Sequence, residues 1–232
     1  MITHYRISFL ILLLLVFSCN TDHEESITVT YSFYSDAEGW IGDFTDYPAG
    51  EEESYELSSG WSQLPAPLET TKGAFRISGN NHSDDLFMYL THKIDGLRTS
   101  TSYRVTFDLE LASNAPTNAA GIGGAPGEGV TLKVGAVQDH PSKLLADNGF
   151  YAINLDKGNQ SGSGEDMIAI GHVGVSDTTT VYTLIQRNSL SEPVNVTTDE
   201  YGEFWIIVGT DSGFEGTTTL YYSKIKVTVI KN

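Results

Sequence analysis

The stretch Gly79–Ile94, GNNHSDDLFMYLTHKI, joins a wholly polar run to a strongly apolar one. The apolar half, which begins with Leu86–Leu90, is typical of a buried β-strand. An unpaired buried polar group costs about 1 to 3 kcal/mol, so the polar half, Asn80–Asp85, must be internally paired, hydrated, or facing a ligand or ion. The stretch therefore predicts a strand fed by a loop on which neighbouring segments converge.

Further strand-like runs lie on both sides of this stretch. They are rich in Val, Ile, Thr, Tyr and Phe, often alternate at period 2, and are separated by clusters of Gly, Asn, Asp, Ser and Pro. With the opening stretch they make about ten predicted strands: 27–35, 74–78, 86–94, 103–111, 130–137, 150–155, 167–175, 181–187, 203–209 and 220–230. Many short strands without a βαβ rhythm predict an all-β antiparallel sandwich or jelly roll, formed by one domain over residues 27–232.

The alternation along Tyr103–Leu111, YRVTFDLEL, indicates how such a strand is placed. Its apolar and polar residues lie on opposite faces, as expected where only one face of a sheet is covered. The sequence predicts long irregular segments at Gly39–Pro67 and Ala112–Gly129, and loops of that length commonly carry function. The one helical candidate is a turn or two around Ser142–Asp147.

Three segments resemble galactose-binding-like jelly rolls and carbohydrate-binding modules. They are FYSDAEGW at Phe33–Trp40, IDGLRTSTSYRVTFDLEL at Ile94–Leu111, and GFEGTTTLYYSKI at Gly213–Ile225. The resemblance implies a sandwich that binds sugars through loops at one end, with a structural calcium ion between early and late segments. It is a resemblance of fold, and one fold can host unrelated functions.

The N-terminus predicts export. Residues 1–18 contain one firm positive charge, Arg6, followed by the apolar run Ile7–Phe17, which is too short to span a membrane and is typical of a signal peptide. Val16–Cys19 resembles the lipobox of bacterial lipoproteins, so we expect Cys19 to be lipidated, with residues 19–26 as an acidic tether. A plain secretory signal is the alternative. The expected location is the outer membrane, on its surface or its periplasmic face.

The charge of the chain narrows the possible partners. It contains 13 basic and 30 acidic residues, for a net charge of −17. Binding to a phosphate backbone requires the opposite sign, so nucleic acids are excluded as expected partners. Cations and neutral polar ligands remain, glycans among them.

Loop aromatics are candidates for sugar stacking. Trp40 and Trp61 lie in glycine-rich contexts, and a pyranose face packs against such rings while amides and carboxylates take its hydroxyl groups. The alternative is that each ring covers an edge of the sandwich.

Polar residues at three strand ends form the second set of candidates. We predict that they meet at one rim of the sandwich and contribute to ligand binding; they are Asn80, Asn81, His82, Asp84, Asp85, Asp156, Lys157, Asn159, Asp211 and Glu215. Asp84 and Asp211 are the candidate calcium ligands, because calcium prefers oxygen ligands. Lys157 is expected to pair with Asp84 or Asp211. Structural locking of the loop and ordinary hairpin chemistry are the alternatives.

These observations favour a lipid-anchored, extracytoplasmic sandwich that binds carbohydrate or another neutral polar ligand without being an enzyme. A hydrolase or lyase that uses His82 and carboxylates at strand ends is a second hypothesis, which for glycosides requires two carboxylates about 5 to 9.5 Å apart. A structural or adhesive surface protein is the third.

Overall fold

A computed structural model describes residues 25–176 and 180–232. This part of the chain forms fourteen β-strands and no helix. The strands are β1 Ser26–Tyr31, β2 Ile41–Thr45, β3 Ser58–Gln63, β4 Gly73–Asn80, β5 Leu86–Ile94, β6 Ser102–Ser113, β7 Val130–Val137, β8 Lys143–Leu145, β9 Tyr151–Ile153, β10 Met167–His172, β11 Thr183–Asn188, β12 Val194–Thr197, β13 Phe204–Ser212 and β14 Thr217–Lys231. No helix in the described ranges is long and apolar enough to cross a membrane.

The strands form two main antiparallel sheets. The seven-stranded sheet has the order β11-β6-β14-β4-β3, with β1 added beside β14 and β12 beside β6. The five-stranded sheet has the order β10-β7-β13-β5-β2, and β8 and β9 form a separate hairpin. This arrangement confirms the predicted all-β antiparallel sandwich.

The core lies between the two sheets. Along β6, the side chains of Val105, Phe107 and Leu109 are fully buried, whereas the intervening polar residues are partly exposed. The cluster of buried side chains runs from Tyr31 in β1 to Val229 in β14. Because alternate residues of a strand point to opposite faces, one face of each sheet supplies this core.

The outer face of the five-stranded sheet is also partly covered. Phe87, Tyr89, Met167 and Ile207 form a second apolar cluster there, against which Ile153 and Leu155 pack. These last two residues belong to β9 and to the segment that follows it. The β8–β9 hairpin and the loop 154–166 therefore lie over this outer face.

Backbone hydrogen bonds attach the hairpin to the chain after β2. The amide of Asp46 donates to the carbonyl of Tyr151 at 2.7 Å, and the amide of Tyr151 donates to the carbonyl of Tyr47 at 2.9 Å. Further on, the amide of Ala49 donates to Gly149 at 3.0 Å. The hairpin thereby holds Asp46 against the outer face of the sheet.

Each of the ten predicted runs overlaps a strand, and the bounds of β5 and β7 match the prediction. The prediction of a helical turn at Ser142–Asp147 was wrong, because β8 occupies Lys143–Leu145 and pairs with β9. The sequence analysis also missed β2, β3 and β12, the first two of which lie in the supposedly irregular segment Gly39–Pro67. β2 and β3 contain glycine and show little period-2 signal, whereas β12 alternates between apolar and polar residues but is only four residues long.

Candidate functional site

The polar loop before β5 is locked by its own hydrogen bonds. Asn81 is buried, and its Nδ2 donates to the carbonyls of Ser212 at 2.8 Å and Phe214 at 3.0 Å. Its Oδ1 accepts a bond from the amide of Ser83 at 3.0 Å. Asn81 thus connects the loop before β5 to the end of β13. This is the structural locking of the loop that the sequence analysis gave as an alternative to ligand binding.

The neighbours of Asn81 hold the segment between β2 and β3. Asn80 Nδ2 donates to Glu56 at 3.4 Å, and a ring nitrogen of His82 lies 3.2 Å from the carbonyl of Ser54. The hydroxyl of Ser83 donates to the carbonyl of Asp46 at 2.9 Å. These contacts bring Asp46, which the sequence analysis did not single out, beside the end of the polar loop.

The other predicted polar residues shape the surrounding loops. The Asp156 carboxylate accepts bonds from the amides of Gly158 at 2.9 Å and Glu165 at 3.0 Å, which closes the loop 154–166 on itself. The carbonyl of Asp84 accepts a bond from the Gln160 side chain at 3.1 Å. The strand ends that carry Asp84 and Asp156 are therefore neighbours, as predicted.

Asn159 and Glu215 are both exposed. The carbonyl of Asn159 accepts a bond from the amide of Gly162 at 2.8 Å, inside the loop 154–166. The amide of Glu215 donates to the carbonyl of Ile122 at 2.9 Å. Both bonds are made by the backbone, which leaves the two side chains directed to solvent.

Five charged residues meet beneath these loops, and we call them the charge cluster: Asp46, Asp85, Lys133, Lys157 and Asp211. Lys133 Nζ donates to Asp211 Oδ2 at 2.9 Å and to the carbonyl of Lys157 at 2.7 Å, and neither the Lys133 nor the Asp211 side chain is exposed. Lys157 Nζ lies 2.8 Å from Asp211 Oδ2, 3.1 Å from Asp46 Oδ2 and 3.9 Å from Asp85 Oδ1. The prediction that Lys157 pairs with Asp84 or Asp211 is confirmed for Asp211.

Burial controls the charge of this cluster. Desolvation raises the pKa of Asp85 to about 7, against the attraction of Lys157, and the negative charges of Asp211 and Asp46 add to the rise. Burial also raises the pKa of Asp46. For Lys157, burial lowers the pKa, but the carboxylates of Asp211 and Asp46 outweigh it and the net shift is upward.

Burial lowers the pKa of Lys133, against the hydrogen bond and charge of Asp211. With Asp85 protonated, the remaining two carboxylates balance the two ammonium groups. The charge cluster is then close to neutral below about pH 7.

A cleft of about 290 Å³ opens beside the charge cluster. It lies between the polar loop, the chain after β2 and the turn of the β8–β9 hairpin. Its lining residues are Asp46, Ser83, Asp85, Ala146, Asn148, Phe150, Tyr151 and Ala152. Acidic, amide and aromatic residues therefore line one solvent-open space.

The predicted aromatic platforms lie elsewhere. Trp40 is 3% exposed and packs edge-on against Tyr31 and Phe33 in the core, so it offers no free ring face to a ligand. Trp61 is 43% exposed, but its indole nitrogen donates to the carbonyl of Phe33 at 2.9 Å and it does not line the cleft. The aromatic residues of the cleft, Phe150 and Tyr151, were not among the predicted site residues.

The carboxylates that come together differ from the predicted calcium ligands. Within the described residues, the trio whose oxygen atoms lie within 4.8 Å of one another is Asp46, Asp85 and Asp211. Asp84 has a left-handed backbone conformation, with φ of 61°, and does not join the trio. Of the two predicted metal ligands, the structure therefore places only Asp211 in an acidic cluster.

Two members of the charge cluster escaped the sequence analysis. Lys133 interrupts the apolar strand VTLKVGAV, and a charged residue in a strand buried on both faces was a usable signal of an ion pair. Asp46 follows β2, which was itself not predicted, so no sequence signal pointed to it.

No protein-family model and no curated protein sequence matches the chain. Among solved structures, the K1 cleaved adhesin domain of Lys-gingipain from Porphyromonas gingivalis W83 has a TM-score of 0.39 at 11% identity, over 87% of this chain and 97% of that chain. A putative sugar-binding protein from Bacteroides thetaiotaomicron VPI-5482 has a TM-score of 0.38 at 15% identity, over 83% and 88%.

A carbohydrate-binding module described as recognising mannan has a TM-score of 0.37 at 10% identity, over 88% of this chain and 98% of that module. All three similarities are too low to carry a function to this chain.

Proposed function

We propose that this chain is a binding protein that takes a neutral polar ligand, a carbohydrate, in the cleft beside the charge cluster. The observation that carries the proposal is the lining of that cleft. Asp46 and Asp85 line it together with Asn148 and Tyr151. A solvent-open hollow lined by both polar and aromatic residues is suited to a small molecule.

The charge balance disfavours an anionic ligand. The two lysines of the charge cluster are already paired with carboxylates at 2.8 to 3.1 Å. An anion would find no unpaired ammonium group in the cluster, and the chain as a whole carries a net charge of −17. A polar ligand without charge needs no unpaired ammonium group and is not repelled by the net negative charge.

Carbohydrate fits the cleft by size and by chemistry. Its volume of about 290 Å³ lies at the small end of ligand sites, near 300 Å³, which suits one or two sugar rings. Hydroxyl groups both donate and accept hydrogen bonds, and the cleft offers carboxyl groups and an amide for them. An aromatic side chain such as Tyr151 supports the apolar face of a sugar ring.

Binding to a glycan array, followed by calorimetry on the oligosaccharides retained, tests the proposal. Asp85→Ala and Tyr151→Ala are expected to weaken binding by about tenfold or more, since each removes a group worth about 1.4 kcal/mol. Trp61→Ala is the matched control, because Trp61 is an exposed aromatic residue outside the cleft. The proposal fails if no glycan binds, or if Trp61→Ala abolishes binding while Asp85→Ala leaves it unchanged.

Hydrolysis is the second candidate, because Asp46 and Asp85 are adjacent carboxyl groups beside an open cleft. Their oxygen atoms lie within 4.8 Å of each other, just below the spacing of about 5 to 9.5 Å between the carboxyl groups of glycosidases. Burial raises the pKa of Asp85 to about 7, so about half of its carboxyl groups are protonated at neutral pH. An acid beside a carboxylate is the pair that glycoside hydrolysis requires. The test is to incubate the protein with a polysaccharide that it binds and to measure the release of reducing ends. Release by the native protein but not by Asp85→Asn would identify a hydrolase. If the polysaccharide stays intact, the protein only binds it.

The proposed location is extracytoplasmic, with a lipid on Cys19 that anchors the chain to the outer membrane. Cys19 and the predicted signal peptide lie outside the described residues. The support is the charged and apolar pattern of residues 1–18 followed by the only cysteine of the chain. Incorporation of labelled palmitate in the full chain, abolished in Cys19→Ser, tests the anchor, and a secreted unlabelled protein would contradict it.

A further inference from the structure

The trio of Asp46, Asp85 and Asp211 resembles a cradle for a cation. Its carboxylate oxygens lie within 4.8 Å of one another, and one member, Asp211, is completely buried. Calcium takes 6 to 8 oxygen ligands at about 2.3 to 2.6 Å. Three carboxylates would provide the charge and up to six of those oxygens, so the residue types alone are those of a calcium site.

The position of Lys157 contradicts that reading. Its ammonium nitrogen lies 2.8 Å from Asp211, 3.1 Å from Asp46 and 3.9 Å from Asp85. All three members of the trio thus approach one point, and the lysine occupies it. The Lys157 side chain is only 10% exposed, so it cannot leave this point without losing its partners in a buried setting.

We propose that the ammonium group of Lys157 is the resident cation of this cradle and that the native protein binds no divalent metal there. The inference concerns the charge cluster itself and does not depend on which ligand the cleft takes.

Lys133 strengthens the exclusion of a metal. It donates to the same oxygen of Asp211 that Lys157 contacts, at 2.9 Å. An incoming divalent ion would therefore meet two positive charges within the cluster. This repulsion raises the free energy of the metal-bound state.

Because of this arrangement, the loop 154–166 is held in place without an external ion. Lys157 belongs to the loop 154–166, and its own carbonyl accepts a bond from Lys133 at 2.7 Å. The loop itself therefore supplies the cation, the ammonium group of Lys157, that attaches it to the sheet. In a calcium-dependent sandwich, the same attachment would vary with the concentration of the ion.

Removal of the lysine charge tests the inference, because it should convert the cradle into a metal site. Lys157→Met keeps an unbranched side chain but leaves three carboxylates and only Lys133 in the cluster. We expect terbium chloride and calcium chloride to bind this variant at least about tenfold more tightly than the native protein, equivalent to 1.4 kcal/mol. Terbium luminescence excited through nearby tyrosines and calorimetry with calcium provide the two readouts.

Lys143→Met is the matched control, because Lys143 pairs with Asp43 at 2.8 Å, outside the cradle. It should gain no metal affinity. The native protein supplies a second measurement that needs no variant: its thermal midpoint is expected to be the same in calcium chloride and in a chelator.

A calcium-dependent rise of the native midpoint that Asp46→Asn removes overturns the inference, and so does a folded Lys157→Met protein that gains no affinity. If Lys157→Met unfolds without metal, recovery of the folded state on addition of calcium supports the inference. Failure of calcium to restore it counts against a cradle that accepts a cation.

Discussion

Asp85 lies near a lysine, and its pKa is nevertheless raised to about 7. Its nearest ammonium atom, Lys157 Nζ, is 3.9 Å away, while two other carboxyl groups share that same ammonium. Burial and these like charges raise the pKa of Asp85 to about 7, well above its ordinary value of 3.8. The folded protein therefore keeps a proton that the unfolded chain releases near pH 4.

This difference predicts how Asp85 contributes to stability. Because the raised pKa favours the protonated form of the folded state, the contribution is fully present below about pH 4 and is lost as the pH rises to about 7. The asparagine of Asp85→Asn does not titrate, so this variant loses no stability from this position as the pH rises. We expect the free energy of urea unfolding of Asp85→Asn, relative to the native protein, to increase between about pH 4 and pH 7 and to level off above.

Each protein serves as the other's control at every pH, because all remaining groups are common to both. A stability difference that does not change over this range would show that Asp85 titrates normally in the folded state.

Asn81 allows a second prediction at the scale of the residue. Asn81→Ala removes two hydrogen bonds to buried strand-end carbonyls, at 2.8 and 3.0 Å. The expected loss is about 2 to 3 kcal/mol of unfolding free energy, since a buried carbonyl without a partner costs about 1 to 3 kcal/mol. Denaturant titration measures it. Asn80→Ala, whose amide makes one long bond to Glu56 at 3.4 Å, should cost less than about 0.5 kcal/mol, and equal losses in both variants would refute the locking role.

The loop 154–166 and the β8–β9 hairpin are the elements that form the site. Neither belongs to the two main sheets. The loop contributes Lys157 to the charge cluster, while the turn of the hairpin contributes Asn148 and Phe150 to the cleft. Their attachment to the outer face of the five-stranded sheet is therefore a condition for the site to exist.

Two glycines test this attachment. Gly158 has φ of 69°, and an added Cβ would collide with the carbonyl oxygen of Gly162 and the backbone of Ser163. Gly149, in the hairpin turn, has φ of 82° and open space around the same position. Both substitutions to alanine carry the strain of a left-handed backbone, about 1 to 2 kcal/mol, but only Gly158→Ala also displaces the chain next to Lys157.

We expect Gly149→Ala to lower the unfolding free energy by about 1 kcal/mol and Gly158→Ala by about 3 kcal/mol or more, because it also disturbs a buried ion pair. Hydrogen exchange of the loop amides shows where the loss occurs. If Gly158→Ala is no more destabilising than Gly149→Ala, the packing of the loop does not support the charge cluster.

At the scale of the whole molecule, one apolar core lies between the two sheets. It extends from Tyr31 in β1 to Val229 in β14. Its members include Trp40 and residues of β1 and β14. Because both sheets contribute side chains to this core, we expect residues 25–232 to unfold in a single transition. Midpoints from far-ultraviolet circular dichroism and from tryptophan fluorescence should coincide, whereas two separate midpoints would indicate independent domains.

The sequence by itself determined most of the strands and which of their faces are buried. Alternation along β6 and the apolar runs of β5 and β7 are local signals, because side chains of a strand point alternately to its two faces. The short strands β2, β3, β8 and β12 carried too little of this signal to be recognised. β2, β3 and β12 pair with the longer strands β5, β4 and β6, and β8 pairs with β9. A local pattern does not record such pairing.

Only the tertiary structure decided which charges meet. Lys133 and Asp211 are 78 positions apart in the chain, and their contact depends on the register between β7 and β13. Asp46 joins them because the hairpin holds the chain after β2 against the sheet. Sequence patterns indicate which side chains are buried. The partners in ion pairs, however, depend on strand register and loop packing. Register and packing therefore also determine whether a lysine or a metal ion neutralises the three carboxylates.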